Sequence, residues 1–168
     1  MFYPMRRKRQ ELPFSECADI LEQGSSGVLA LSGDEPYPYA VPISYVYDGK
    51  QLYFHCAVSG HKLGVIRQNP KASFCVIAAD EVVPQKYTTY FKSVIAFGSI
   101  SIINDHEKKR AAIEKLAKKY APFESAQSMA KEIDGSWNAF YMLEMSIDHL
   151  TGKEAIELTR ARGSKEAH

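Results

Sequence analysis

Hydrophobic and polar positions along this chain follow two periods, and the two occupy different stretches. From Tyr37 to Tyr47 every second residue (Tyr37, Tyr39, Val41, Ile43, Tyr45, Tyr47) falls on one face, the alternation of a half-buried strand. Asp48-Gly49 follows as a hairpin turn signal, because glycine tolerates φ > 0, and Gln51 to Ala57 returns as the partner strand. Gly27 to Leu31 predicts a short apolar strand and Lys71 to Ala79 a nearly continuous one. After a loop around Val83 to Thr88, Tyr90 to Ile103 reads as a long strand, with Gly98 as a bulge or a point of close approach. Asn138 to Leu150 is the last strand.

Helical spacing governs the rest. Over Asn104 to Tyr120, residues Ala112, Ile113, Leu116, Ala117 and Tyr120 recur on one side; Asn104 is the expected cap, Glu107 completes a capping-box-like pair, and Pro122 lies beyond the end. Ser125 to Ile133 predicts a second helix. Phe14 to Gln23 predicts a short one with Ser15 as N-cap and Gly24 as stop, and Gly60 to Gln68 another, ended by Asn69-Pro70. The order is helix, three strands, short helix, two long strands, helices, strand, with one tight hairpin. That order predicts a mainly β architecture, a mostly antiparallel barrel with helices packed outside.

Composition agrees. The 168 residues suit one domain, which buries roughly 70% of the surface its unfolded chain exposes. Ten tyrosines and eight phenylalanines enrich the chain in strand formers. A net charge of +1 demands neither nucleic acid nor an anionic membrane as partner. The basic tract Arg6, Arg7, Lys8 and Arg9 has no interleaved aromatic platform and no apolar segment behind it, so it reads as solvated surface rather than a signal peptide. No apolar run approaches the ~20 residues of a membrane span. Cys17, Cys56 and Cys75 are odd in number and form no C-x-x-C pair, which fits reduced thiols in the cytoplasm better than disulfides or structural zinc. A serine-hydrolase elbow, G-x-S-x-G, is absent.

Three places carry candidate chemistry. At Ser59-Gly60-His61-Lys62 a strand runs into a helix start, where unpaired backbone N–H groups and the helix dipole favour an anion. Ser59 adds a hydroxyl, Gly60 permits close approach and Lys62 adds a full charge; together they form a phosphate seat, or else an ordinary helix start with a solvated lysine. Pro42 lacks an N–H, so its strand is an edge or is bulged there, and neighbouring backbone groups are free to serve a flat heteroaromatic ring or simply face water. His55 shares a strand face with Tyr53 and Ala57; it can hydrogen-bond a cofactor or substrate, pass a proton, or rest on a backbone group. His55 and His61 have no carboxylate or cysteine at ligand spacing, so no metal is expected.

Phe54 to Pro70, F-H-C-A-V-S-G-H-K-L-G-V-I-R-Q-N-P, resembles the FMN-phosphate segment of the pyridoxamine 5′-phosphate oxidase-like split barrels. Lys92-Ser93-Val94-Ile95-Ala96-Phe97-Gly98 falls where that family has its next FMN-contacting strand. The nitroimidazole-resistance group of the family looks closest, on Arg6-Arg7, Val41-Pro42-Ile43-Ser44-Tyr45, Tyr53 to Ala57, Gly60-His61-Lys62, Ser93-Val94-Ile95 with Phe97-Gly98, and Thr151-Gly152-Lys153. The likeness runs in order from about residue 3 to 157.

The resemblance implies a six-stranded antiparallel split β-barrel over residues 1–157, with 158–168 as a flexible tail, forming a homodimer with FMN at its interface. It implies that Ser59, His61 and Lys62, helped by Ser93, hold the phosphate. The backbone of Pro42, Ile43 and Ser44 would line the isoalloxazine ring, and His55 would be the active-site residue. The activity implied is FMN-dependent reduction of a small electron-poor molecule such as a nitroaromatic. Alternatives are a non-catalytic FMN, haem or other ligand carrier, and a pyridoxamine 5′-phosphate oxidase-related activity. The chain departs from the oxidases themselves: Met145 to Leu150 stands in place of their Arg-Leu-x-Pro-type ending, and Ser93 in place of a common glutamine, which weighs against vitamin B6 oxidation.

Overall fold

In the computed structural model, which describes residues 2–34 and 36–165, one antiparallel sheet organises the chain. Its strands are β1 (Ser26–Leu31), β2 (Tyr39–Ser44), β3 (Val46–Tyr47), β4 (Gln51–Ala57), β5 (Lys71–Val83), β6 (Thr88–Ile102) and β7 (Phe140–Glu154). They lie in the order β2-β1-β5-β6-β7-β4-β3. Only Tyr45 separates β2 from β3, yet these two strands stand at opposite ends of that order. One stretch of chain, 39–47, therefore closes the sheet into a barrel: its first half pairs with β1 and its second half with β4. The expected six strands are thus counted as seven because this stretch is interrupted at Tyr45.

Alternation puts Leu29, Leu31, Phe54, Phe74, Val94, Ala96, Ile100 and Met145 inside the barrel, all fully or almost fully buried. Phe74 sits at the centre, edge-on to Tyr45 and Phe54 with ring centroids 4.8 and 5.0 Å away. Helix α1 (Phe14–Gln23) closes one end with Cys17 and Leu21, and α2 (His61–Gln68) covers the other with Leu63, Val65 and Ile66. Helices α3 (His106–Tyr120) and α4 (Ala126–Ser136) lie on the outer face of β4 and β7, burying Tyr53, Phe140 and Met142 under Ala112, Ile113, Leu116 and Ile133. The β3–β4 hairpin turns at Gly49, whose φ is +88°, and Asp48 Oδ1 accepts from the Lys50 and Gln51 N–H groups.

Several boundaries differ locally from expectation. Pro13, not Ser15, precedes α1, and no side chain caps it. Asp105, one residue after Asn104, caps α3 by accepting from Lys108 N–H at 2.7 Å. Gly98 is the expected close approach: the β6–β7 register shifts there, and a Cβ would lie 1.7 Å from the Ser146 carbonyl oxygen. The segment expected as a flexible tail carries α5 (Ile156–Lys165). It is held through Arg162, which reaches Glu16 at 2.6 Å and the buried carboxylate of Glu154 at 3.0 Å. Residues 166–168 of that tail lie outside the described residues.

Candidate functional site

Bonded pairs alternate with non-bonded pairs along an antiparallel ladder. The Asp48 N–H donates to the Gln51 carbonyl at 3.2 Å, which sets the phase of the hairpin. In that phase Val46 bonds Tyr53. The next such pairs would be Ser44 with His55, Pro42 with Ala57 and Ala40 with Ser59, but pairing has stopped. Beyond Tyr45 the strand lies on β1, while β4 continues along β7. Two sheet edges diverge from Tyr45 and leave a wedge-shaped split, about 20 Å long over the six steps from Tyr45 to Tyr39 at strand rise.

The backbone groups of Ala40, Pro42 and Ser44 point into this split from one arm, and those of His55 and Ala57 from the other. Pro42 falls on the split-facing phase, where its missing N–H costs no ladder bond. This is the edge strand that the proline predicted. His55 projects from the outer face of β4 just past the cover of α3, exposed, with its ring 6.3 Å from that of Phe140.

The split opens at the start of α2. There the Tyr39 ring meets His61 edge-on, centroids 4.7 Å apart, and ties the two arms together. Gly60 is the N-cap residue at φ +137°; it has no side chain to offer, and the first turn of α2 carries no acidic residue. Leu63 N–H donates to the Gly60 carbonyl at 3.2 Å, and the N–H groups of His61 and Lys62 are left for solvent or a ligand. Ser59 and His61 are exposed and Lys62 is half-buried. Burial raises the thiol of Cys56, the last inward residue of β4, and the nearby Lys62 ammonium partly offsets that rise. A helix start that carries a lysine and no acidic residue in its first turn can hold an anion.

Seven of the eight expected site residues thus lie along one split, Pro42 and Ser44 on one arm, His55 on the other, and Ser59, His61 and Lys62 at the mouth; Ile43, between Pro42 and Ser44, turns its side chain to the core and, in the same phase, its backbone groups to Gly27 of β1. Ser93 does not join them within one chain. It lies opposite Ile77 and Lys153 on the outer sheet face, three strands from Ser44. At about 4.8 Å per strand that is on the order of 15 Å. Pro42, Val28, Cys75, Ile95 and Thr151 form one rung across this face. Apolar side chains on it are exposed, Val28 at 37% and Ile77 at 65%, beside the polar Ser26, Ser44, Ser93 and Lys153.

The sequence profile of the pyridoxamine 5′-phosphate oxidase family matches residues 14–154, from the start of α1 to the end of β7. The chain belongs to this family. An uncharacterized protein of Rhizobium meliloti is 29% identical over 147 residues, covering 83% of this chain and 91% of that one. Among solved structures, a candidate 5-nitroimidazole antibiotic resistance protein from Bacteroides thetaiotaomicron has the same fold, with a TM-score of 0.71 at 21% identity over 86% of each chain. An FAD-binding protein from Mesorhizobium loti matches with a TM-score of 0.61 at 23% identity, over 87% of this chain and 97% of its own.

Two residues of the split escaped the sequence reading. Tyr39 was visible only as one member of the alternating face, and Tyr120 only as an apolar helical position. Neither has a local motif, because each acts through a partner distant in sequence. Among the described residues no cluster of three or more His, Cys, Asp or Glu could hold a metal ion. No helix among them is long and apolar enough to cross a membrane. Cys17 and Cys56 are buried and Cys75 half-buried, all as free thiols, and burial pushes the Cys17 thiol up to about 11.

Proposed function

We propose that the split holds one FMN per chain and that this family member is an FMN-dependent oxidoreductase acting on small, flat, electron-poor molecules of the nitroaromatic kind. The observation that carries the reading is the pairing of an uncapped, carboxylate-free helix start beside Lys62 with two strand edges whose backbone groups face one another unpaired. A nucleotide with a dianionic tail and a planar ring rimmed with donors and acceptors fits both halves. Ser59, His61, Lys62 and the first N–H groups of α2 would hold the phosphate. The Ala40–Ser44 edge would align the ring by backbone hydrogen bonds, and the exposed His55 would orient the substrate or hand it a proton. When bound, the flavin supplies electron transfer to the acceptor.

The exposed apolar rung through Pro42 and Val28 favours packing against a second copy, giving a homodimer with the cofactor at the interface. In that assembly the partner's face would supply the contact assigned to Ser93. The protein tests this directly. Purified protein should be yellow or should bind added FMN at one per chain, in preference to FAD. Its bound flavin should be reduced by NADH or NADPH and reoxidised anaerobically by a nitroimidazole. Colourless protein indifferent to FMN would remove the flavin reading. Bound flavin that no nicotinamide donor reduces would leave a carrier.

A further inference from the structure

Tyr120 ends α3, and its hydroxyl is committed to backbone groups at two strand ends, Tyr45 between β2 and β3 and Ser25 just before β1. It accepts from Tyr45 N–H at 3.0 Å and lies 3.0 Å from the Tyr45 carbonyl oxygen. It also contacts the Ser25 carbonyl oxygen. The β1–β2 register, in which Ser26 faces Ser44, would next set Ser25 opposite Tyr45. In the phase fixed by the hairpin, Tyr45 directs its N–H and carbonyl to that side. The Tyr120 hydroxyl therefore occupies a rung that the β1–β2 ladder would otherwise fill. One residue later, at Val46, the strand has crossed to β4. Beside it, Lys119 Nζ donates to the Gly24 carbonyl at 2.5 Å and stands 4.4 Å from the Tyr45 ring centroid, so the end of α3 is docked at two points.

We propose that Tyr120 is the positioning residue of the split. Its hydroxyl fixes where the 39–47 strand leaves β1, and so fixes how far the Ala40–Ser44 edge stands from His55. Without the hydroxyl, Tyr45 either leaves buried backbone groups unsatisfied or draws Ser25 across to close the rung. Both outcomes move Ser44, the first split-facing residue. The consequence for flavin rests on the function proposed above; the consequence for the strands does not.

Tyr120→Phe in the full chain tests it, with Lys119→Met as the control for general docking of α3. In flavin-free protein, the Tyr45 and Ser44 amides of Tyr120→Phe should show altered hydrogen exchange, and those of Lys119→Met should not. In flavin titrations, Tyr120→Phe should raise the FMN Kd about tenfold, as for one lost hydrogen bond, and should change the visible circular dichroism of the bound flavin. Lys119→Met should lower the melting temperature while leaving Kd and spectrum unchanged. Unaltered exchange at Tyr45 and Ser44 in Tyr120→Phe, or equal Kd shifts in both variants, would overturn the proposal. If the native chain binds no flavin, the proposed function falls, and the exchange data alone decide the role of Tyr120.

Discussion

Replacing Lys62 with alanine removes one charge from the mouth of the split and little else. The helix it belongs to is anchored by Leu63, Val65 and Ile66, and alanine is a better helix former than lysine, so α2 should persist. A hydrogen bond between a charged donor and a phosphate contributes about 1.5 to 3 kcal/mol. Lys62 is only half-buried, so solvent screening moves the expectation toward the lower end of that range. At 1.4 kcal/mol per tenfold, the FMN Kd should rise roughly 10-fold and at most about 100-fold. The N–H groups of α2 remain, which is why binding should weaken rather than vanish.

Riboflavin isolates the phosphate. It has the same ring and no anionic tail, so Lys62→Ala should change its Kd by less than about twofold if the lysine acts on the phosphate alone. Titration of native and variant protein with both ligands, followed by quenching of flavin fluorescence, gives the coupling between ammonium and phosphate. Raising the salt concentration should narrow the difference for FMN, because the charge is partly exposed. An FMN Kd indifferent to the substitution, or equal losses for FMN and riboflavin, would show that the anion is seated elsewhere.

The barrel makes its own predictions. Gly98→Ala places a Cβ 1.7 Å from the Ser146 carbonyl oxygen, so β6 and β7 must part; a loss of about 3 kcal/mol or more is expected in urea unfolding, against the usual ~1 kcal/mol of a point substitution. Burial alone would raise the Glu16 carboxyl, but hydrogen bonds and charge from Lys92 and Arg162 outweigh it and hold the group below its ordinary 4.5. Because the folded state holds that proton less tightly than the unfolded chain, the stabilisation is fully present above 4.5 and is lost as pH falls through the lower folded value. Urea midpoints measured between about pH 6 and pH 3 should fall less steeply in Glu16→Gln than in the native protein; parallel slopes would show that the cluster does not report on acid stability.

Strand faces were legible because period two maps directly onto burial: the inward members of the 39–47 stretch pack on the barrel core as the alternation predicts. The starts of α1 to α4 were legible to within a residue or two, whereas α5 went unread because its segment was expected to be a flexible tail. Asn104 and Asp105 are both capping residue types, and local chemistry does not choose between them; the geometry of the chain leaving β6 does. The mouth of the split was readable from Ser59 to Lys62, since a helix start advertises its own unpaired donors. Ser93 could be assigned to a strand, but its distance from Ser44 depends on strand order, which no local pattern contains.

The break at Tyr45 shows most clearly where reading by side chains runs out. Ile43, Tyr45 and Tyr47 all face inward, so the alternation passes through the break without a fault. What changes there is the backbone partner, from β1 to β4, and side-chain periodicity carries no record of which neighbour a backbone bonds. Pro42 gave a partial signal, because a residue without an N–H marks an edge wherever it falls. The other half of the signal is a tyrosine at the end of a helix 75 residues away, one that counted toward the helix's apolar side. A split of this kind is encoded as an agreement between distant residues: an unbroken inward face that lets the strand serve two neighbours, and one hydroxyl placed to satisfy it where it leaves the first.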